Sequence, residues 1–166
     1  MDIELKNESL NYKSWVLNER QICDLEMILN GSFAPLNCFL NRDDYESVLS
    51  SMRLKNGSLW PIPINLDVNK EFSRKINPGD KLTLKDREGF SIAIIDIQDI
   101  WNPDLKKESM SVYGTTDNNH PGVDYLLNQS NPIYVGGKIR CISKPNHYDY
   151  REIRYDPKSL KKKFKD

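Results

Sequence analysis

His120 and His147 are the only histidines in the chain, which narrows its imidazole chemistry at once. A HExxH zinc site, a catalytic HxxH and a paired-histidine metal centre each need two imidazoles at a fixed spacing, and these two stand far apart. One imidazole beside a carboxylate can act as a general base, and Asp117 and Asp124 lie close to His120 in sequence. His120 also directly precedes Pro121, and a turn residue is the expectation there. Cys23, Cys38 and Cys141 are odd in number and fit neither a secreted disulfide framework nor a CxxC zinc knuckle. No thiol adjoins an imidazole in sequence, so all three are expected reduced and buried, with Cys23 a small hydrophobe within a helix. Gly136-Gly137-Lys138 lacks the GxxxxGK[ST] frame of a phosphate loop and continues as a strand. Asp43-Asp44 and the Asp24/Glu26 pair fall at a helix start or on a solvated face, where helix electrostatics accounts for the former.

The end of the chain holds the remaining candidates. Lys158, Lys161, Lys162, Lys163 and Lys165 make a basic patch that could meet phosphates by counterion release, although a solvated face is the simpler expectation. Leu160 and Phe164 are an i, i+4 apolar pair on a helix too short to be stable alone, so something must cover them. Either the domain folds its tail back over them, or Leu160 and Phe164 are the contact with a neighbouring domain.

The elements that position these residues can be read from capping and periodicity. Asn18 opens a helix with Ile22, Leu25, Ile28 and Leu29 on one side, and Asn30-Gly31 stops it. Asn41 opens a second, with Tyr45, Val48, Leu49 and Met52 as its apolar stripe. From Trp60 to Val68 the even positions are apolar and the odd ones are Pro61, Pro63, Asn65 and Asp67, which predicts an edge strand. Residues 81–86 and 90–94 flank Asp86-Arg87-Glu88-Gly89 as a hairpin. The apolar phase slips at Ile94-Ile95, where a β-bulge is expected. Asn102-Pro103 opens a helix that Gly114 can stop, Ile133 to Ile142 is a strand whose paired glycines suggest a bend or close backbone contact, and Asp156-Pro157 opens the last helix.

The 166 residues, 38% of them hydrophobic and 29% charged, suit a single α+β domain spanning 1–166, with a polar lead-in over 1–12 and a basic helix over 156–166. Lys plus Arg is 24 and Asp plus Glu is 24, so no net field draws the chain to nucleic acid or an anionic membrane. Mean hydropathy is −0.66, yet the aromatic share of 10% and the aliphatic runs supply a core. No apolar run approaches the length of a membrane span and the start lacks a signal-peptide core, so a cytoplasmic protein is expected.

Several segments together resemble one family. Residues 19–36, ERQICDLEMILNGSFAPL, are similar to the opening of ATP sulfurylase, sulfate adenylyltransferase, in its N-terminal PUA-like domain. Met52-Arg53-Leu54, Leu59 to Ile64 with Leu66-Asp67, and Pro78-Gly79-Asp80 follow in the same order. So do Tyr113 to Asp117, His120 to Val123, Tyr134 to Lys138 and His147 to Arg151, and the likeness covers residues 12–165. Ser32 and Cys38 depart from it, standing where glycine is common; a Cβ forced to a left-handed conformation there would cost roughly 1 kcal/mol.

The resemblance implies an α+β pseudo-barrel of mostly antiparallel strands with flanking helices, in the context of sulfate assimilation, where ATP and sulfate become adenylyl sulfate and pyrophosphate. It places the family's QxRNPxHxxH stretch and GRD-type loop in a following catalytic domain, and neither motif occurs in this sequence. The expectation is therefore a non-catalytic domain, inactive alone, without catalytic, cofactor or metal residues of its own, ATP and sulfate being bound elsewhere. Its partner would be the catalytic domain, in the same chain or another, with a homo-oligomer as a further expectation and nucleic acid not expected. The alternative is a free-standing PUA-like module that binds RNA or a small anion through its sheet or basic end.

Overall fold

A computed structural model of the protein describes residues 2–165. In chain order the elements are α1 (Ile3–Ser9), β1 (Lys13–Val16), α2 (Glu19–Leu29), β2 (Cys38–Phe39), α3 (Arg42–Ser51), β3 (Leu66–Val68) and α4 (Lys70–Ser73). There follow β4 (Lys81–Lys85), β5 (Ser91–Trp101), α5 (Leu105–Tyr113), α6 (Pro121–Asp124), a π-helical turn (Tyr125–Gln129), β6 (Ile133–Cys141) and α7 (Pro157–Lys163). The chain divides into two compact units, one formed by residues up to 38, 81–96 and from 138 onward, the other by 39–80 and 97–137.

In the first unit, the polar lead-in over 1–12 holds a helix that its hydropathy does not signal. Ile3 and Leu10 are exposed, and α1 is held instead by polar contacts. Asp2 caps it by accepting from the Leu5 amide at 3.0 Å, and near its other end Glu8 takes a forked pair of hydrogen bonds from Arg140 at 2.9 and 3.0 Å. Lys81 and Tyr12 add donors to the same carboxylate at 2.8 and 2.7 Å. The Arg140 guanidinium, then Lys81 and Tyr12, hold Glu8 well below the usual carboxylate range. Helix α2 starts as expected: Asn18 accepts from the Gln21 amide while the Gln21 side chain accepts from the Asn18 amide, a reciprocal capping box. Leu25 and Ile28 are buried, each contributing about 2 kcal/mol of apolar burial.

Strand β4 pairs antiparallel with β5 across the Asp86–Gly89 turn, as the hairpin pattern requires, and Gly89 closes it at φ +90°. The bulge lies elsewhere than predicted. Register shifts between Leu84 and Lys85, opposite Ala93 and Ser91, which makes Ile92 the extra residue, while Ile94 and Ile95 pair regularly with Thr83 and Leu82. Ile92, Ala93, Ile94 and Ile95 are all buried, so both faces of β5 are covered here and the apolar phase has no reason to alternate. The Ile92 carbonyl instead accepts from Ile142 and Ser143.

In the second unit, α3 begins at the Asn41 cap and buries Tyr45 and Val48, but its expected stripe ends early. Met52 is the left-handed C-cap at φ 53° and is exposed. The predicted strand over 60–68 shrinks to Leu66–Val68. Pro61 and Pro63 cannot donate to a ladder, and the alternation fails, since Ile62 is exposed while Asn65 and Asp67 are buried. Helix α5 is capped by Asp104, which accepts from the Lys106 and Lys107 amides, and not by Asn102; a carboxylate two residues on is the better partner for the helix dipole. Gly114 ends α5 at φ 70°, as expected.

Sheet closure is where the architecture departs from expectation. The strand order is β1-β4-β5-β6-β2, with β3 pairing onto β6, so the path has two free ends and the sheet is not closed into a barrel. Closure would need β1 to find a second neighbour, whereas β1 pairs in parallel with β4 alone and β2 is two residues long. The fold is α+β with a mostly antiparallel open sheet. Neither Ser32 nor Cys38 adopts a positive φ; Gly31 takes that conformation at +81°, so both departures fit without backbone strain.

Gly136 in β6 bears out the expected close approach. A Cβ at this position would collide with the Leu40 carbonyl oxygen and lie 2.7 Å from the Asn41 Cα, both backbone atoms that cannot rotate away. Gly136→Ala should therefore cost roughly 1–3 kcal/mol. Urea unfolding followed by circular dichroism measures this, and an unchanged midpoint would contradict the close approach.

Candidate functional site

The structure gives each sequence candidate a structural task first. His120 is the N-cap of α6, its Nδ1 accepting from the Gly122 amide at 3.2 Å, with its ring 4.9 Å from that of Tyr113. Asp117 accepts from the backbone and side chain of Asn119, and Asp124 from Asn128 and Gln129, which together pull the Asp124 carboxyl below its ordinary value. The general-base arrangement is thus not assembled, because the imidazole lone pair and both carboxylates serve local caps and turns. Among the described residues no group of three His, Cys, Asp or Glu side chains could hold a metal ion. The expectation of buried thiols is corrected: Cys23 and Cys141 are exposed and Cys38 is half-buried, and none of the three forms a disulfide among the described residues. Cys23 lies off the Leu25 and Ile28 face of α2, where Gln21 takes the inner place.

A buried polar cluster in the second unit was not foreseen. Glu108 of α5 is buried, and its Oε2 accepts from the hydroxyls of Tyr45 and Tyr134, each at 2.9 Å. Trp101 completes an aromatic triangle with ring centroids 5.6 to 5.8 Å apart, two of its three pairs edge-on. Burial, then the negative charge of Glu108, pushes both phenols far above their ordinary value of 10.0. The signal was present in the sequence: Glu108 follows Leu105 by three residues and precedes Val112 by four, so it lies on the side of α5 that they half-bury. Asp67, also buried, accepts from both the backbone and the side chain of Asn131 at 2.8 and 3.0 Å. Such enclosed, hydrogen-bonded groups specify packing.

Exposed chemistry gathers in the last part of the first unit. His147 ties this segment to α2 through a 2.6 Å contact between its Nε2 and Glu26. Beyond it Tyr148, Tyr150, Ile153 and Tyr155 are exposed, and Phe164 is 81% exposed while Leu160 is half-buried. The Asp156 cap and Pro157 start α7 as the sequence predicts, Asp156 accepting from the Ser159 amide at 2.8 Å. The basic patch is split. Lys158, Lys161, Lys162 and Lys165 line one groove with Asn30 and Gly31, whereas Lys163 turns onto Tyr155, its Nζ 2.6 Å from the hydroxyl and 3.8 Å above the ring centroid.

The class the fold defines is an α+β domain on an open, mostly antiparallel sheet with an exposed aromatic and basic tail. The chain belongs to the PUA-like domain family, whose model matches residues 2–144. It is 46% identical over 164 residues to the sulfate adenylyltransferase of Aspergillus fumigatus, covering 97% of this chain and 28% of that protein. The sulfate adenylyltransferase of Schizosaccharomyces pombe is 41% identical over 163 residues, covering 97% and 33%. Among solved structures, a hexameric APS kinase from Thiobacillus denitrificans is similar with a TM-score of 0.76 and 28% identity, covering 98% of this chain and 28% of that one. The chain is thus homologous to the N-terminal PUA-like domain of full-length sulfate adenylyltransferases and spans less than two fifths of the relatives it matches. Among the described residues, no helix is long and apolar enough to cross a membrane.

The Tyr45–Glu108–Tyr134 cluster sets a pH dependence. A phenol whose ionisation is raised in the fold contributes stability that is whole below its unfolded value of 10.0 and is lost as pH rises above it. Stability should be flat through neutral pH and then fall above about pH 10, by up to about 1.4 kcal/mol per pH unit for each phenol. Denaturant titrations across that range check this, with Tyr134→Phe giving a shallower fall; an identical slope in the variant would contradict the assignment.

Proposed function

We propose that this chain is the non-catalytic PUA-like part of a sulfate adenylyltransferase, in which a separate catalytic domain converts ATP and sulfate to adenylyl sulfate and pyrophosphate. The observation that carries this reading is the pairing of 46% identity along nearly the whole chain with coverage of only 28% of the relative. The portion of the relatives outside this match is the natural partner, and the absence of QxRNPxHxxH from these 166 residues agrees with a reaction centre housed there. ATP and sulfate accordingly belong to that domain. The hexamer of the related APS kinase supports an oligomeric whole protein, and sulfate assimilation suits a cytoplasmic setting.

The docking surface in this reading is the tail. Tyr148, Tyr150, Ile153 and Phe164 leave a run of apolar side chains in water, the kind of surface that marks a contact site. Leu160 and Phe164 present their i, i+4 pair at its end, where cover by a partner would stabilise a helix of seven residues. Burying one such side chain contributes about 1.5–3 kcal/mol, or about tenfold or more in affinity.

The test is calorimetric titration of this chain with the separately produced catalytic portion of the Aspergillus fumigatus relative. Saturable binding is expected, weakened about tenfold by Phe164→Ser and further by adding Ile153→Ser. Binding that is absent, or unaffected by either substitution, would overturn the docking surface.

A further inference from the structure

The split of the basic patch has a consequence that goes beyond the scaffold reading and does not rest on it. Lys158, Lys161, Lys162 and Lys165 recur at i, i+3, i+4 and i+7, so α7 and its flank turn all four ammonium groups to one side. They line a groove of about 450 Å³ with Asn30 and Gly31, within the size range of small-ligand sites. Among the described residues no carboxylate lines the groove and none of the four lysines has an ion-pair partner within 4.0 Å, although the Asp156 carboxylate at the helix cap acts on Lys158 over a longer range. Like charges at this spacing repel one another and destabilise a helix that is already marginal. The helix dipole accounts for Lys161 and Lys162 in the last turn, but it opposes Lys158 in the first. An anion lying along the row would answer all four charges together.

We propose that this groove is a binding site for a linear phosphate chain of the inorganic tripolyphosphate class. Lysine binds phosphate as a point charge, and a row reaching from Lys158 to Lys165 rises roughly 10 Å, which suits several anionic groups in sequence over a single one. Among the described residues no aromatic side chain lines the groove, so none there offers a stacking platform for a nucleobase, which single-stranded RNA would require. Leu160 and Phe164 lie on another side of α7, so the groove and the apolar pair are separate surfaces.

Calorimetry on the full chain at low ionic strength, with sodium tripolyphosphate as the probe, tests the site. Saturable binding is expected, weakened about tenfold or more in a Lys161→Gln/Lys162→Gln variant and unchanged in Lys163→Gln, whose side chain is engaged with Tyr155. Circular dichroism confirms that both variants remain folded. Inorganic phosphate should bind more weakly than tripolyphosphate. ATP binding as tightly as tripolyphosphate supports the site and assigns it the phosphate tail of a nucleotide, whereas ATP binding more weakly supports a free inorganic chain. The proposal is overturned if tripolyphosphate gives no saturable heat, if Lys163→Gln loses as much as the double variant, or if an RNA oligonucleotide binds the groove more tightly.

Discussion

A carboxylate taken out of water must be answered by donors held within hydrogen-bond reach, and in the second unit Glu108 imposes that condition. Removal from solvent without partners would cost several kcal/mol. The hydroxyls of Tyr45 and Tyr134 meet the requirement at 2.9 Å each, and in doing so fix α5, α3 and β6 to a common point. The packing around them is specific: the Tyr134 ring meets both the Tyr45 ring and the Trp101 indole edge-on. Gly136 supplies the companion constraint, since β6 reaches this position only where the backbone around Leu40 can approach without a side chain between.

The same economy governs much of the surface. His120 caps a helix, Asp124 and Asp117 close turns, Glu8 gathers Arg140, Lys81 and Tyr12, and His147 pins its segment to Glu26. Groups that could have done acid–base chemistry are committed to holding backbone in place. Among the described residues, the tail exposes both an apolar run around Tyr150 and the lysine row of α7.

Local chemistry is legible in the sequence at most positions where a single residue decides the outcome, the Asn102 cap, displaced by Asp104, being the exception. The caps at Asn18, Asn41 and Asp156, the Gly89 hairpin and the Gly114 stop are one-residue effects, and all formed. Elements that depend on what lies against them were misjudged. Strand β5 was read as having one inner face when both are covered, so a change of phase was mistaken for a bulge at Ile94-Ile95. The 60–68 alternation was real as a pattern, yet two prolines emptied its ladder of donors, and barrel closure failed on strand length, which periodicity does not report. Helix α1 was missed because charge contacts from residues distant in sequence hold it. The basic patch is visible as composition; its division into a four-lysine row and a Lys163–Tyr155 contact depends on how the segment before α7 folds against it.

The central claim, that the chemistry resides outside this polypeptide, is tested most directly by pyrophosphate-dependent ATP formation from adenylyl sulfate. The assay compares the purified chain alone, the catalytic portion of a relative alone, and the two mixed. The account predicts no turnover by the chain alone and turnover whenever the catalytic portion is present, greatest in the mixture. Sustained turnover by the chain alone would contradict it.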